Sequence, residues 1–399
     1  MTRTRTRRLR WVGGLTAVTC AAAISATTLP AQAAPEGHIL GAGAPGSVGG
    51  SYLVTLKGGT TAPSAAGKSL AEKYGAKINH TYGTVLNGYA VQADERQAKR
   101  LAADSRVASV VQDTRVTLDH TQKNPPSWGL DRIDQKNLPL NKSYTWPDSA
   151  GSGVTVYVID TGIRIGHKDF GGRASHGWDF VGNDRSAGDG NGHGTHVAGI
   201  AAGKTYGVAK KAKVVAVRVL DNAGAGTTAQ VIAGIDWVTK HARKPAVANL
   251  SLGGSYNTQL DAAVRNSIRS GVTYTVAAGN DGLPASLYSP AGVREAITVG
   301  ASDKKDARAG FSNFGSALDL FAPGVSITSA SIASNTGRAT YSGTSMASPH
   351  AAGVAALYLA DHRKAPPSQV ARALVSGAVS GKVSGRGLGS PNKLLQVPR

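Results

Sequence analysis

VTVYVID, residues 154–160, decides how most of the chain is read. It is short, almost wholly apolar, rich in Val, and ends on an aspartate. Four more runs share this character: KVVAVRVL (213–220), PAVANLSL (245–252), VTYTVAAG (272–279) and EAITVGA (295–301). Helical stretches separate them, among them TTAQVIAGIDWVTKHA (227–242) and SYNTQLDAAVRNSIRSG (255–271). Apolar strands alternating with helices predict an α/β fold, a mostly parallel sheet covered on both faces in a three-layer sandwich. Functional residues of such sheets sit in loops at the carboxyl ends of strands. Asp160, Ser251 and Asn280 each end or follow a strand run.

The residues before this region are of two other kinds. MTRTRTRRLR is basic, WVGGLTAVTCAAAISA is small and apolar, and Ala31-Gln32-Ala33 is a peptidase-like cleavage triplet. Residues 1–34 therefore read as a secretory signal, by either the general or the twin-arginine route. Cys20, the only cysteine, lies inside it. The mature protein is expected to be exported, extracellular and free of disulfides. No apolar run reaches the roughly 18 residues that span a bilayer, so no membrane association is expected after signal removal.

Residues 51–119 read as a small α+β unit in the order βαββαβ, a ferredoxin-like layout. Residues 35–120 form one expected segment with that unit as its core, and 121–399 form another. From residue 121 onward 30 Lys and Arg stand against 17 Asp and Glu, a surplus of 13. The basic residues are scattered without a basic-aromatic cluster, which argues against nucleic acid as a partner.

Three glycine-rich segments carry the chemistry: VIDTGI, NGHGTHVAG and SGTSMASPH. The first ends a strand on Asp160; the others put His193 and Ser345 at helix starts. A serine hydroxyl becomes a nucleophile when a base takes its proton, and the imidazole that does so is held by a carboxylate. Ser345 at a helix N-terminus also has unpaired N–H groups nearby, which suit an anionic intermediate.

These segments, in this order, resemble the subtilisin-like serine proteases. WGLDRID, NLSLGG, AAGN and GTSMASPH are similar to the proteinase K and aqualysin branch. The likeness covers about residues 121–390, and the unit before it resembles that family's inhibitory propeptide. The Asp, His, Ser order is the known subtilisin order. The resemblance implies a secreted zymogen and a monomeric serine endopeptidase, acting on protein and peptide substrates, with its own propeptide as intramolecular inhibitor. The propeptide's last strand, ending near Leu118-Asp119-His120, is expected to lie in the cleft as the first product, with self-cleavage close to His120.

The resemblance also implies roles. Asp160 would orient His193, His193 would be general base and then acid, and Ser345 would attack the scissile carbonyl. Asn280 and the Ser345 N–H would hold the oxyanion. Ser251-Leu252-Gly253 and Gly224-Ala225-Gly226 would flank an extended peptide as added strands. Ala277, Ala278 and Gly279 would line the pocket for the side chain before the cut. No charge lies in these segments, so broad specificity favouring apolar or aromatic side chains is expected. Thr228 departs from the branch, which carries an aromatic there.

Structural calcium is implied at Asp319, with the carbonyls of Arg294 and Ala296. A second calcium site is implied at Asp131, Asp134 and Gln135, assisted by Asn141. No catalytic metal or organic cofactor is expected. His193 and His196 stand at i and i+3, whereas a zinc protease helix spaces its histidines at i and i+4 with a Glu beside the first, where Gly194 stands here. Asp160-Thr161-Gly162 is the only D-T-G, which disfavours an aspartic protease. The rival class is a non-catalytic binding module, a pseudoprotease adhering through its basic surface.

Overall fold

The computed structural model describes residues 35–44, 47–114 and 120–398. The signal expected in residues 1–34 lies outside them, as do Leu118 and Asp119. The described residues form two units, divided between Arg115 and Val116.

In the first unit the chain runs β1 (Ile39–Leu40), β2 (Ser47–Leu56), α1 (Ala65–Lys73), β3 (Lys77–Tyr82), β4 (Gly88–Gln92), α2 (Glu95–Ala102) and β5 (Val107–Thr114). The sheet order is β1-β5-β2-β4-β3, with β1 parallel to β5 and the other pairs antiparallel. This is the expected βαββαβ unit with one short strand added at an edge. Ser64 caps α1 by accepting from Gly67 N. Asp94 and Gln97 form a reciprocal capping box on α2. Leu70, Leu101, Val54 and Val91 meet in the unit's own core.

In the second unit β6 (His120–Lys123) pairs antiparallel with β7 (Ser143–Trp146), with α3 (Trp128–Ile133) between them. Then follow β8 (Thr155–Asp160), β9 (Ala174–Asp179), α4 (His193–Ala202), β10 (Lys213–Arg218), α5 (Thr228–His241), β11 (Ala246–Leu250), β12 (Gly254–Ser255), α6 (Thr258–Arg269), β13 (Thr273–Ala277), β14 (Tyr288–Ser289) and β15 (Ile297–Ser302). β16 (Leu320–Pro323), β17 (Ile327–Ala330), β18 (Arg338–Tyr341), α7 (Thr344–Asp361), α8 (Pro367–Gly377), β19 (Val379–Ser380) and β20 (Lys393–Leu394) complete it. The main sheet is ordered β19-β20-β16-β15-β13-β11-β8-β10-β9, parallel throughout except for β19 against β20.

The alternation of side chains along β8 builds the three layers. Val156 and Val158 pack with Val197 and Ile200 of α4 and Met346 and Ala351 of α7. Tyr157 and Ile159 face the other way, against Val231 and Ile235 of α5 and Leu260 and Val264 of α6. Every residue of β8 is buried, which is why its sequence shows no polar face. Each fully buried Val or Ile contributes about 1.5–3 kcal/mol. Arg132 of α3 is fully buried and pairs in a fork with Asp306, 2.6 and 2.9 Å away, tying α3 to the loop after β15.

The order of the sheet sets the site. β8, β11 and β13 are adjacent and parallel, so their carboxyl ends emerge side by side. Asn249 is level with Val158 and Leu250 with Val276. Continuing that register places Ser251 level with both Asp160 and Ala277.

Candidate active site

Asp160, last in β8, is fully buried. Its Oδ1 accepts from Thr161 N at 2.7 Å and pairs with His193 Nδ1 at 2.8 Å. The approach requires glycine next to the imidazole. A Cβ on Gly194 would lie 2.2 Å from the Gly162 carbonyl oxygen and 3.2 Å from Asp160. His193 opens α4, its side chain 27% exposed while Asp160 has none to solvent. One face of the imidazole pair is thus dry and the other open to a reactant.

α4 begins on Gly192, which has no side chain to cap it. The first N–H groups of a helix need partners, and residues outside the helix supply them. Asp189 Oδ2 accepts from Thr195 N at 2.9 Å and Thr195 Oγ1 at 2.6 Å. Its Oδ1 accepts from Asn191 N, Gly192 N and Thr161 Oγ1 at 2.8–3.0 Å. Thr161 Oγ1 in turn accepts from Gly194 N at 2.9 Å. Asp189 and Thr161 therefore lock the start of α4 onto the end of β8, fixing His193 against Asp160. Sequence reasoning missed both; the signal was an uncapped Gly192 three residues after an acid.

Burial alone would depress the His193 pKa, but the charge and hydrogen bond of Asp160, with the charge of Asp189, outweigh it and raise the pKa above 6.5. A general base works only when neutral, so any activity for which His193 serves as base should fall as pH drops through that raised value. Asp189→Asn removes one charge and weakens the lock. Its kcat should fall roughly tenfold to a hundredfold, and the acid limb of its pH–rate profile should shift to lower pH; an unmoved limb would contradict this reading.

His196, one turn along, has a different setting. It is fully buried, its Nε2 bonds the carbonyls of Ile327 and Ala339 at 3.1 Å each, and its ring stacks on Tyr341 at 4.4 Å. Both partners are acceptors, so this nitrogen carries the proton and cannot ligate a metal. Burial pushes the His196 pKa down to about 4.

Ser345 is the second residue of α7, after Gly343 as N-cap and Thr344. Its hydroxyl donates to the Ser251 carbonyl at 3.0 Å, while Ser251 Oγ donates to the Ser345 carbonyl at 2.8 Å. The second bond has a cause within the helix. Pro349 lacks the N–H that would bond the Ser345 carbonyl four residues back, and Ser251 takes that acceptor instead. The structure thus shows Ser345 bonded to Ser251, where a bond to His193 is expected of a poised nucleophile. A change of χ1 redirects a serine hydroxyl between staggered wells, and catalytic hydrogen bonds commonly tighten only with substrate bound. Asn249 steadies the same corner: its Oδ1 accepts from Thr275 Oγ1 and Ser348 Oγ, and its Nδ2 donates to Ser251 Oγ.

Asn280 is exposed after β13. Its Oδ1 accepts from Thr344 N at 2.8 Å and Thr344 Oγ1 at 2.9 Å. With the oxygen so engaged, the Nδ2 amide is the group left to donate beside the start of α7. Gly279 has φ +102°, and a Cβ there would lie 2.3 Å from Asn313 Nδ2, so the turn presenting Asn280 requires glycine. With Asn280 serving as an oxyanion donor, Asn280→Ala should lower kcat by roughly a hundredfold to a thousandfold. Steady-state kinetics on a peptide ester checks this, with KM little changed.

The remaining expected residues fall around these groups. Ala277 and Ala278 are buried and Gly279 half-buried at the end of β13; Ser251 is buried, Leu252 half-buried and Gly253 exposed after β11. Gly224, Ala225 and Gly226 are exposed, in a turn organised by Asp221, whose Oδ1 accepts from Ala223 N and Ala225 N. Asp319 has one oxygen accepting from Thr298 N at 2.8 Å, and burial pushes its carboxyl up to about 6. Arg294 is exposed and Ala296 buried before β15. Asp131, Asp134, Gln135 and Asn141 do converge. Asp131 accepts from Asn141 N and Lys142 N, Asp134 from Thr145 N, and Gln135 Oε1 from Asn141 N. Their oxygens clamp the 141–145 segment.

A model of the subtilase family, peptidase S8, matches residues 151–393, and one of the peptidase inhibitor I9 family matches residues 51–119. An extracellular serine proteinase of Thermus sp. (strain Rt41A) is 47% identical over 92% of this chain and 94% of its own length. An alkaline serine exoprotease A of Vibrio alginolyticus is 48% identical over 81% of this chain, which spans 60% of that longer protein. The crystal structure of a cold-adapted subtilisin-like serine proteinase matches with a TM-score of 0.67 at 52% identity, covering 68% of this chain and 98% of that one.

Proposed function

The chain belongs to the subtilase family of serine proteases, with an I9 inhibitor propeptide at its N-terminal side, and on that footing we propose how its own residues perform the reaction. The observation that carries the proposal is the 2.8 Å bond between buried Asp160 and half-open His193, on a sheet end that also presents Ser345. Asp160 keeps the His193 Nδ1 protonated and leaves Nε2 as the base. Ser345 Oγ turns from the Ser251 carbonyl, gives its proton to His193 and attacks the peptide carbonyl. The Asn280 Nδ2 and the Ser345 N–H stabilise the resulting oxyanion. His193 then protonates the leaving amine, and water activated by the same imidazole hydrolyses the acyl-enzyme.

The exposed Gly224–Gly226 turn and the step from buried Ser251 to exposed Gly253 support binding of an extended substrate by strand addition. The uncharged walls of Ala277, Ala278 and Gly279 support a preference for apolar or aromatic side chains before the cut. Cleavage close to His120 releases the inhibitor domain. Export through the basic and apolar segment of residues 1–34 fits relatives named as extracellular, and no described helix is long and apolar enough to cross a membrane. Alkylating His193 with a peptidyl chloromethyl ketone tests the assignment: adduct formation at His193 with loss of activity is expected, and a fully modified yet active enzyme would refute it.

Structural calcium belongs to the proposal at Asp319. The Asp319 carboxylate is destabilised by burial and would suit a hard cation, with the Arg294 and Ala296 carbonyls as the further donors that the family resemblance implies. The fit is poorer at Asp131, Asp134 and Gln135, whose oxygens already serve backbone amides. A calcium held at Asp319 would stabilise only the folded state, by about 2.7 kcal/mol at a hundredfold excess over Kd. Chelation should lower the melting temperature, and Asp319→Asn should abolish most of that sensitivity. The sign of the pH effect follows from a raised acid pKa. Without the ion, Asp319 holds a proton longer folded than unfolded, so its contribution declines as pH rises from 3.8 through about 6. Calorimetry with and without chelator across this range reads both effects.

A further inference from the structure

The second unit contains a cavity of about 690 Å³ walled by β6, the end of β7 and the turns at 171–173 and 204–211. His120, beside the proposed cleavage point, stands in its wall, and no other lining residue belongs to the catalytic or substrate-binding groups. Four cations line it, Arg173, Lys204, Lys210 and Lys211, and no acid does. Like charges gathered in a concave, partly desolvated space repel one another and concentrate counter-ions. The volume is in the range of small-molecule sites.

Lys210 distinguishes this cavity from a chance cluster of surface lysines. It is 9% exposed, and its Nζ donates to the Lys204 carbonyl at 3.0 Å. The ammonium lies 5.3 Å from the Tyr144 ring centroid and 4.9 Å from that of Trp146. Among the described residues it has no ion pair. A buried ammonium ordinarily pairs with an acid; this one feels the charge of Asp169 without an ion pair to it, and its direct contacts are aromatic faces, one carbonyl and the cavity. Arg173 is held rigid by bonds to the carbonyls of Ala202, Ala212 and Asp169. Lys204 and Lys211 are exposed at the rim, Lys211 Nζ donating to the Asp148 carbonyl at 3.2 Å.

We propose that this cavity binds a phosphate dianion, free or as a monoester on a small apolar body. Four cations in one cavity wall call for more than one negative charge, and a phosphate offers oxygens in several directions to ammonium donors. The Trp146 ring in the wall gives an ester's apolar part a surface to cover. Burial pushes the Lys210 pKa down to about 7, with Asp169 opposing and Arg173 adding to the shift; a dianion beside it would favour the charged ammonium.

The test is calorimetric titration of the mature enzyme at fixed ionic strength with inorganic phosphate, phenyl phosphate and benzoate. Saturable binding of one equivalent is expected for phenyl phosphate and weaker or no binding for benzoate. Equal affinity for inorganic phosphate would identify the free ion as the ligand, and tighter binding of phenyl phosphate would identify the ester. Lys210→Met keeps the apolar stem over Tyr144 and Trp146 but removes the charge, and should weaken binding at least tenfold with peptide hydrolysis unchanged. Should that variant not fold, the exposed pair Lys204→Ser with Lys211→Ser should show the same loss. No saturable binding to the native enzyme, equal affinity for benzoate, or undiminished binding in these variants would overturn the proposal.

Discussion

Replacing His193 with alanine is expected to lower kcat by about a million-fold, the loss subtilisin shows when its own histidine is removed. The fold should survive, because His193 opens α4 with its side chain partly exposed and the lock around it is made by Asp189 and Thr161. His196→Ala provides the contrast. It removes a ring that bonds two carbonyls and stacks on Tyr341, so it should cost about 3 kcal/mol of stability while the residual folded protein keeps its turnover. Parallel melting curves and single-turnover rates separate the two. Lost turnover in folded His196→Ala, or retained turnover in His193→Ala, would reverse the assignment of the two histidines.

Ser345→Ala is expected to have an equally large effect on kcat and a second one on maturation. A chain carrying an I9 inhibitor domain ahead of a subtilase domain releases that domain with its own active site, on the reading proposed here. The alanine variant should therefore accumulate as uncleaved precursor, measurable as intact mass. Added native enzyme should cut it in trans close to His120. Maturation of the variant at the normal rate without added protease would contradict self-processing.

Much of this architecture was legible because burial leaves a plain mark on composition. β8, β10, β11, β13 and β15 are buried on both faces, so their sequences are near-continuous apolar runs and announce a parallel sheet. Asp160, His193 and Ser345 stood out because each interrupts a glycine-rich junction between strand and helix. The supporting groups were less visible. Asp189 is one acid in a polar loop, and its five hydrogen bonds depend on the left-handed turn at Gly192. Asn249 lies inside an apolar strand, where its bonds to Thr275, Ser348 and Ser251 depend on how β11 meets β13 and α7. The bond from Ser345 to Ser251 is a rotamer choice, which no spacing encodes. Asp131 reads in the sequence as a candidate ligand, and the partners its oxygens take, Asn141 N and Lys142 N, depend on how the 141–145 segment folds back on α3.

The central claim is that Ser345 is a nucleophile activated by His193. Incubating the matured enzyme with a fluorophosphonate and mapping the adduct by mass spectrometry tests it most directly. The account predicts one phosphonyl group per chain, on Ser345, with activity lost in proportion to labelling and labelling nearly abolished in His193→Ala. An unlabelled Ser345 in fully active enzyme, or activity untouched by complete labelling, would contradict it.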